Sequence, residues 1–295
     1  MLFRRTAQRG VVSLLAVSLA AGAPPLWAQD ENELTEEQND AAVIYARDNT
    51  IYTLYHEVGH LFVDQFELPV LAKEEDSADN LATLMILDDY DASDDGSILY
   101  NATWYWSLDE EQEIAEWSLF DSHSLNKQRA FAMVCVVVGK DKDEFADIAA
   151  EWELTSEQQE ECGWTYQQVK DGWDKVLEPH RVPNEGDPKI TVTYADPGPD
   201  SEWAAEILKS GEVLERVAQT VEASYTLPND VAFNAEDCGQ ENAFYSSSER
   251  TVTMCYEFVS LYYNQYVASL AEPTDEEVVS EEADPSGDSE ETATE

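Results

Sequence analysis

The sequence predicts a mainly helical α+β fold in which a small sheet or hairpin packs beside several helices. Two observations support this fold class. Before Pro179, apolar residues recur every three to four positions through much of the chain, which is the period of helices with one buried face. Beyond Pro183, residues 190–194 alternate between apolar and polar types, as expected for a strand.

The individual elements follow from this periodicity and from helix start and stop signals. The first helix starts at a capping box in residues 35–38, continues to about Phe66 with a break near Asn49, and ends before Pro69. Four more helices are predicted at 74–87, 108–119, 125–138 and 165–177, with an aspartate-rich loop at 88–96. The remaining predicted elements are a strand at 190–194, a helix at 202–225 weakened at Gly211, a hairpin of 242–245 with 251–255, and a last helix at 257–270.

The N-terminus has the composition of a secretory signal peptide. Three arginines precede an apolar run at 11–23, and the small residue Ala28 lies shortly after it. The run is shorter than the roughly 20 apolar residues that a membrane-spanning helix needs, and the basic, apolar and small segments come in the order of a cleavable leader. We expect residues 1–28 to be removed and the protein to be periplasmic or secreted, without a membrane anchor.

The charge balance limits the partners. The chain has 63 acidic and 16 basic residues, a net charge of −47. Nucleic acid is excluded as a partner because its binding needs basic residues that release counterions.

The acidic tail at 272–295 has almost no large apolar residues and is predicted to be disordered. The folded part is then a helical region at 29–182 and an α+β region at 183–271 that packs on it; no oligomeric state is predicted.

The chemistry is predicted from an HExxH motif in the first helix. His56 and His60 are four positions apart and so share one helix face, where two imidazoles can bind one Zn²⁺ at about 2.0–2.1 Å. Glu57 is offset from this line and can reach a water activated by the metal. We expect Glu57 to act as the general base for attack of that water on a peptide carbonyl.

A third zinc ligand is predicted in the next helix. Fifteen positions after His60 the segment 75–79 reads Glu-Asp-Ser-Ala-Asp. Glu75 can bind the metal while Asp79, one helical turn later, accepts the remaining N–H of a ligand histidine and orients its ring. Glu74 and Asp76 are alternative ligands, and an acidic cluster also favours a helix N-terminus without any metal.

The two motifs, HExxH at 56–60 and E-x-x-A-D at 75–79, resemble those of known metallopeptidases. HExxH followed by E-x-x-A-D resembles the gluzincin metallopeptidases, in which the glutamate is the third zinc ligand. The segments 55–61, 68–71 and 74–79 are more closely similar to a family of bacterial metallopeptidases that is catalogued as a domain of unknown function, and the similarity extends over most of the chain except the tail. The resemblance implies a zincin-like site, with the HExxH helix, a following ligand helix and a small sheet, but it supplies no substrate.

Two further positions are weaker candidates. His123, just before the predicted helix at 125–138, could stabilise the oxyanion of the tetrahedral intermediate; the alternative is a histidine in a loop or at a helix end. By the same resemblance, Asn242 and Ala243 lie on an edge strand that would hold the substrate main chain by strand addition. In many gluzincins this strand precedes the HExxH helix, so a plain hairpin closed by a disulfide is the alternative here.

The four cysteines are predicted to form disulfides, because an exported protein with an even number of cysteines usually pairs them. Cys135 with Cys162 and Cys238 with Cys255 are the local pairings, although the sequence leaves three connectivities open. A zinc site of four thiolates is the alternative, but the chain lacks the C-x-x-C spacing typical of such sites.

Together these residues predict an exported zinc-dependent metalloendopeptidase that acts on a peptide or protein. The alternative is a metal-binding scaffold or binding protein without turnover. The intact Glu57 favours the enzyme, because a scaffold has no need for a base beside its metal.

Overall fold

A computed structural model describes residues 34–88, 95–107 and 120–270 of the chain. Helices dominate, with one four-stranded sheet, which confirms the predicted α+β fold class. The predicted signal peptide at 1–28, the predicted helix at 108–119 and the predicted acidic tail at 272–295 lie outside the described residues and stay predictions. The division of the folded part after residue 182 also stays a prediction.

Nine α-helices and four strands lie in these described ranges. The helices are α1 (Glu36–Gln65), α2 (Glu74–Asp88), α3 (Asp95–Ser107), α4 (Asn126–Lys140), α5 (Ala146–Glu151), α6 (Ser156–Leu177), α7 (Glu202–Ser210), α8 (Val213–Ser224) and α9 (Tyr256–Ser269). The strands are β1 (Ile190–Tyr194), β2 (Val231–Glu236), β3 (Ala243–Ser246) and β4 (Thr251–Cys255), and a short 3-10 helix covers Glu178–His180. The sequence analysis did not predict α3, α5 or β2.

Helix α1 is the central element of the fold. Its 30 residues span about 45 Å at 1.5 Å per residue, and it contacts helices α2, α3 and α9 as well as β3. Residues 45–46 and 48–59 are all buried, so the middle of the helix is enclosed rather than amphipathic. The polar residues of this stretch, including the predicted site, therefore lie inside the protein.

The break predicted near Asn49 was wrong, because α1 is continuous there. The Asn49 side chain donates to the carbonyl of Tyr45, and the Thr50 hydroxyl donates to the carbonyl of Ala46. Both polar groups are thus satisfied by the helix's own backbone. The helix ends at Gln65, before Pro69, and Glu67 takes a left-handed conformation with φ of 51°.

The sheet lies beside α1 with strand order β1-β2-β4-β3. Strands β1, β2 and β4 run parallel, and β3 pairs antiparallel with β4 as an edge strand. The predicted hairpin is confirmed as β3 and β4. The helix predicted at 202–225 is two helices, α7 and α8, that meet at Gly211. The edge strand is the part of the sheet that reaches the cleft described below.

Two disulfides are present, and both are the local pairings. Cys135–Cys162 joins α4 to α6, and Cys238–Cys255 joins the segment after β2 to the end of β4. Disulfides persist in oxidising compartments, which is compatible with export. Within the described ranges, none of the helices combines the length and apolar character that crossing a membrane demands.

Candidate metal centre

The two histidines of the HExxH motif lie where α1 crosses α2. His56 and Glu57 are each only 5% exposed, and Gly59, between the histidines, faces Ala78 of α2. A Cβ atom on Gly59 would lie 2.8 Å from both Cα and Cβ of Ala78, so glycine is what permits the helices to approach this closely. Glu75, one turn before Ala78, is thereby brought to the histidines.

Four side-chain atoms converge at this crossing. The Nε2 atoms of His56 and His60 are 3.2 Å apart, and each lies 3.1 Å from Oε2 of Glu75. The Nε2 atom of His123, from the loop before α4, lies 3.0 Å from the same oxygen. Three imidazole nitrogens thus surround one carboxylate oxygen.

The other nitrogen of each ring is held by a carboxylate. Nδ1 of His56 lies 2.8 Å from Asp79, and Nδ1 of His60 lies 2.8 Å from Glu74. Nδ1 of His123 lies 3.3 Å from Asp121. A carboxylate on Nδ1 favours the tautomer that keeps its proton on Nδ1 and presents the Nε2 lone pair inward, as in metal-binding histidines.

This donor set fits a zinc ion in spacing and in chemistry. Ligand bonds of 2.0–2.1 Å arranged as a tetrahedron put neighbouring ligand atoms about 3.3–3.4 Å apart, close to the 3.1 Å and 3.2 Å separations of His56, His60 and Glu75. Three imidazole nitrogens lie at hydrogen-bond distance from one carboxylate oxygen, which offers only two lone pairs to accept hydrogen bonds. A divalent ion removes that conflict, and imidazole with carboxylate is a donor set typical of zinc.

The electrostatics of the site follow from burial and these hydrogen bonds. Burial alone would lower the pKa of His56, but the hydrogen bonds to Asp79 and Glu75 outweigh it and raise the pKa to about 9. Burial would raise the pKa of Glu75, yet the hydrogen bonds from the three histidines hold that pKa well below its usual value. Burial raises the pKa of Glu57, with His56 and His60 opposing the shift. A carboxylate with a raised pKa is suited to proton transfer near neutral pH.

Arg129 is a member of the site that the sequence analysis missed. From α4, its Nε and Nη2 atoms each donate to Asp79 at 2.7 Å, and the side chain is buried. This bidentate pair keeps the pKa of Asp79 low although burial would raise it. Arg129 therefore fixes the carboxylate that orients His56. The signal was available: Arg129 directly precedes the apolar run of α4, and a cation buried there needs a carboxylate partner.

The candidate metal centre opens into a cleft of about 850 Å³. It is lined by a stripe of residues along α1, by β3, and by aromatic residues of α3 and α9. The lining includes Thr53, Glu57, His60 and Asp64 of the stripe. The backbone of Tyr245, in β3, hydrogen-bonds to Glu57, and its hydroxyl donates to Asp64 at 2.7 Å. The edge strand is thus fixed directly beside Glu57.

Asn242 and Ala243 lie at the cleft end of this strand. The carbonyl of Asn242 accepts from the N–H of Cys255 and so points toward β4. Because backbone groups alternate in direction along a strand, the N–H and C=O of Ala243 point the other way, away from β4. This edge is available to an extended chain in the cleft.

The structure brings most of the predicted site residues together. His56, Glu57, His60, Glu75 and His123 line the cleft with Asn242 and Ala243, and Asp79 stands behind His56. Of the two alternative ligands, Glu74 contacts the outer nitrogen of His60. Asp76 lines a separate small cavity with Gln128. Glu75 is therefore the carboxylate best placed for the metal.

The fold and the site define a class: an α+β protein with an HExxH helix, a following acidic helix and a cleft beside the point where the two helices cross. A family model matches residues 25–177 and 194–285, which is most of the chain. The chain belongs to this family, DUF4344, whose description is "Putative metallopeptidase". No curated protein and no solved structure gave a match.

Proposed function

We propose that this protein is an exported zinc-dependent endopeptidase that hydrolyses peptide bonds in the cleft beside α1. The observation that carries the proposal is the convergence of His56, His60 and Glu75 on one point, with Glu57 adjacent on the same helix. Membership of a metallopeptidase family supports a metal and a hydrolase. The two disulfides support an oxidising location.

His56, His60 and Glu75 are the proposed zinc ligands, with Asp79 orienting His56. When bound, zinc would act as a Lewis acid that lowers the pKa of water toward about 7. The Glu57 carboxylate accepts the proton of the attacking water and delivers it to the amine of the departing peptide. The hydrogen bond from the Tyr245 backbone holds Glu57 in place for both transfers.

The remaining cleft residues bind and stabilise the substrate. The outward N–H and C=O of Ala243 pair with the substrate main chain as an added strand, with Asn242 beside them. When its Nε2 carries a proton, His123 can donate that N–H to the oxyanion that develops on the substrate carbonyl. His123 is suited to this by its place on the open side of the site, where its side chain is 42% exposed.

The replacement Glu57→Gln tests turnover apart from metal binding. It keeps the size of the side chain and removes the base, so we expect zinc content to be retained and peptide hydrolysis to fall about 10²–10⁴-fold. Zinc content and cleavage of a peptide library would be measured on the mature chain. Glu37→Gln, the same change at an exposed position of α1, is the matched control and should leave both unchanged.

The outcomes separate the two candidate functions. Loss of cleavage with retained zinc supports the endopeptidase. If wild type and both variants bind zinc and none cleaves any peptide, the protein is a metal-binding scaffold. Equal cleavage by wild type and Glu57→Gln would show that Glu57 is not the base.

A further inference from the structure

His123 lies where a metal ligand would lie, although it belongs to neither the HExxH nor the E-x-x-A-D motif. Its Nε2 atom is 3.0 Å from Oε2 of Glu75, as close as those of His56 and His60 at 3.1 Å. A histidine placed only to assist the substrate would be expected to lie one substrate atom away from the ligands. His123 instead lies as close to the Glu75 carboxylate as the two motif histidines do.

The ring of His123 is prepared in the same way as the other two. Its Nδ1 faces Asp121, and the ring is nearly parallel to that of His56, with an interplanar angle of 21°. Ligand atoms of His56, Glu75 and His123 all lie within 4.8 Å of one another. The carboxylate on the outer nitrogen fixes the tautomer that presents Nε2 to a metal.

The loop that carries His123 is attached to the ligand helix. Lys73, directly before α2, donates from Nζ to the backbone carbonyls of Asp121 and His123 at 3.2 and 2.9 Å. The carboxylate of Asp121 in turn accepts from the backbone N–H of His123 at 2.8 Å. These bonds couple the position of His123 to that of Glu75, so the two side chains reach the same point together.

We propose that His123 is a fourth metal ligand in the substrate-free protein, so that three imidazoles and one carboxylate hold the ion. The inference rests on the zinc site proposed above. Of the four groups, His123 is the most exposed and the one outside a helix. It can leave the ligand position without moving α1 or α2, and its ring then remains near the substrate carbonyl.

Cobalt titration of the metal-free protein tests this inference without relying on activity. We expect His123→Ala to weaken Co²⁺ binding at least about tenfold, measured by competition with a chelator. Its visible spectrum should change, because water replaces a nitrogen ligand. His180→Ala is the control: His180 stacks on Phe66 at 4.2 Å, outside the site, and both readings should match wild type.

A second variant separates direct binding from a general loosening of the loop. His123→Cys offers a thiolate at the same place, so we expect most of the affinity to return together with a sulfur-to-cobalt charge-transfer band. Affinity and spectrum equal to wild type in His123→Ala would overturn the fourth ligand and leave the three-ligand site standing. A wild-type protein that binds no Co²⁺ or Zn²⁺ would overturn the proposed function as well.

Discussion

Two helix pairs in this protein pack closely at a glycine and use that closeness differently. In the first pair, α1 and α2, Gly59 lies against Ala78; in the second, α4 and α6, a Cβ on Gly139 would overlap the backbone of Cys162. The second pair is closed by the Cys135–Cys162 disulfide. The first pair is closed by histidines and carboxylates that converge on one point.

The difference shows which helix pair depends on paired charges for its packing. The α4–α6 pair is held by a covalent bond, which does not depend on the pairing of buried charges. The α1–α2 pair buries His56, Glu57 and Asp79, and burying such groups costs free energy unless each is paired. Arg129 connects the pairs, because it lies on α4, six positions before Cys135, and holds Asp79 of α2. The disulfide-linked α4–α6 pair thus supplies the cation, Arg129, that holds Asp79 in the α1–α2 pair.

Metal removal should give the largest effect and should act on the α1–α2 pair. A ligand that binds only the folded state at about 1,000 times its Kd stabilises that state by about 4 kcal/mol. We therefore expect thermal unfolding at a markedly lower temperature in excess chelator than in excess Zn²⁺. The variant His56→Ala with His60→Ala should lose this difference; an equal zinc-dependent shift in that variant would place the ion elsewhere.

Removing the disulfide should give the next largest effect and should act on the other pair. Cys135 and Cys162 are 27 positions apart, and opening a loop of that length costs about 3–4 kcal/mol in the chain-entropy account. We expect Cys135→Ala with Cys162→Ala to lower the free energy of unfolding in urea by about that amount.

The same variant should change zinc affinity little in its folded form, because none of the proposed ligands lies on α4 or α6. Zinc affinity would be measured by chelator competition below the unfolding transition. A loss of affinity as large as the loss of stability would contradict the separation of the two pairs and would show that Arg129 transmits the change.

The sequence predicted the local part of this arrangement well. The four-residue spacings of His56 with His60 and of Glu75 with Asp79 fix a shared helix face, and the β3–β4 hairpin followed from alternation around a polar turn. The spacing of residues along a helix or strand determines which side chains share a face, so the helix-face pairs and the hairpin could be predicted from local sequence alone.

The parts that were missed depend on long-range partners. Arg129 and Asp79 are 50 positions apart, and Tyr245 contacts Asp64 across 181; no local pattern names such a partner. The break predicted at Asn49 was wrong because of a local hydrogen bond that the sequence does not reveal. A polar residue suggests a helix break, but the Asn49 side chain donates to the backbone carbonyl four residues earlier.

The smallest loss of stability, and the most specific effect on zinc affinity, should come from replacing the glycines at the helix contacts. In Gly59→Ala the new methyl group would lie 2.8 Å from the backbone of Ala78, so α2 must shift outward. Overpacking costs about 1–3 kcal/mol, and alanine returns up to about 1 kcal/mol through its helix propensity. We expect a net loss of stability of only about 1–2 kcal/mol but a fall in zinc affinity of at least about tenfold, because Glu75 moves with α2.

Gly139→Ala and Gly172→Ala complete this comparison. At Gly139 the added Cβ meets backbone atoms of Cys162, so stability should fall while zinc affinity is retained. At Gly172, in α6, no atom lies within 4 Å of an added Cβ, so alanine should leave zinc affinity unchanged and raise stability by up to about 1 kcal/mol. Urea unfolding and chelator competition on all three variants give the test. If Gly59→Ala bound zinc as tightly as Gly172→Ala, the close approach of α1 and α2 would not be what positions Glu75.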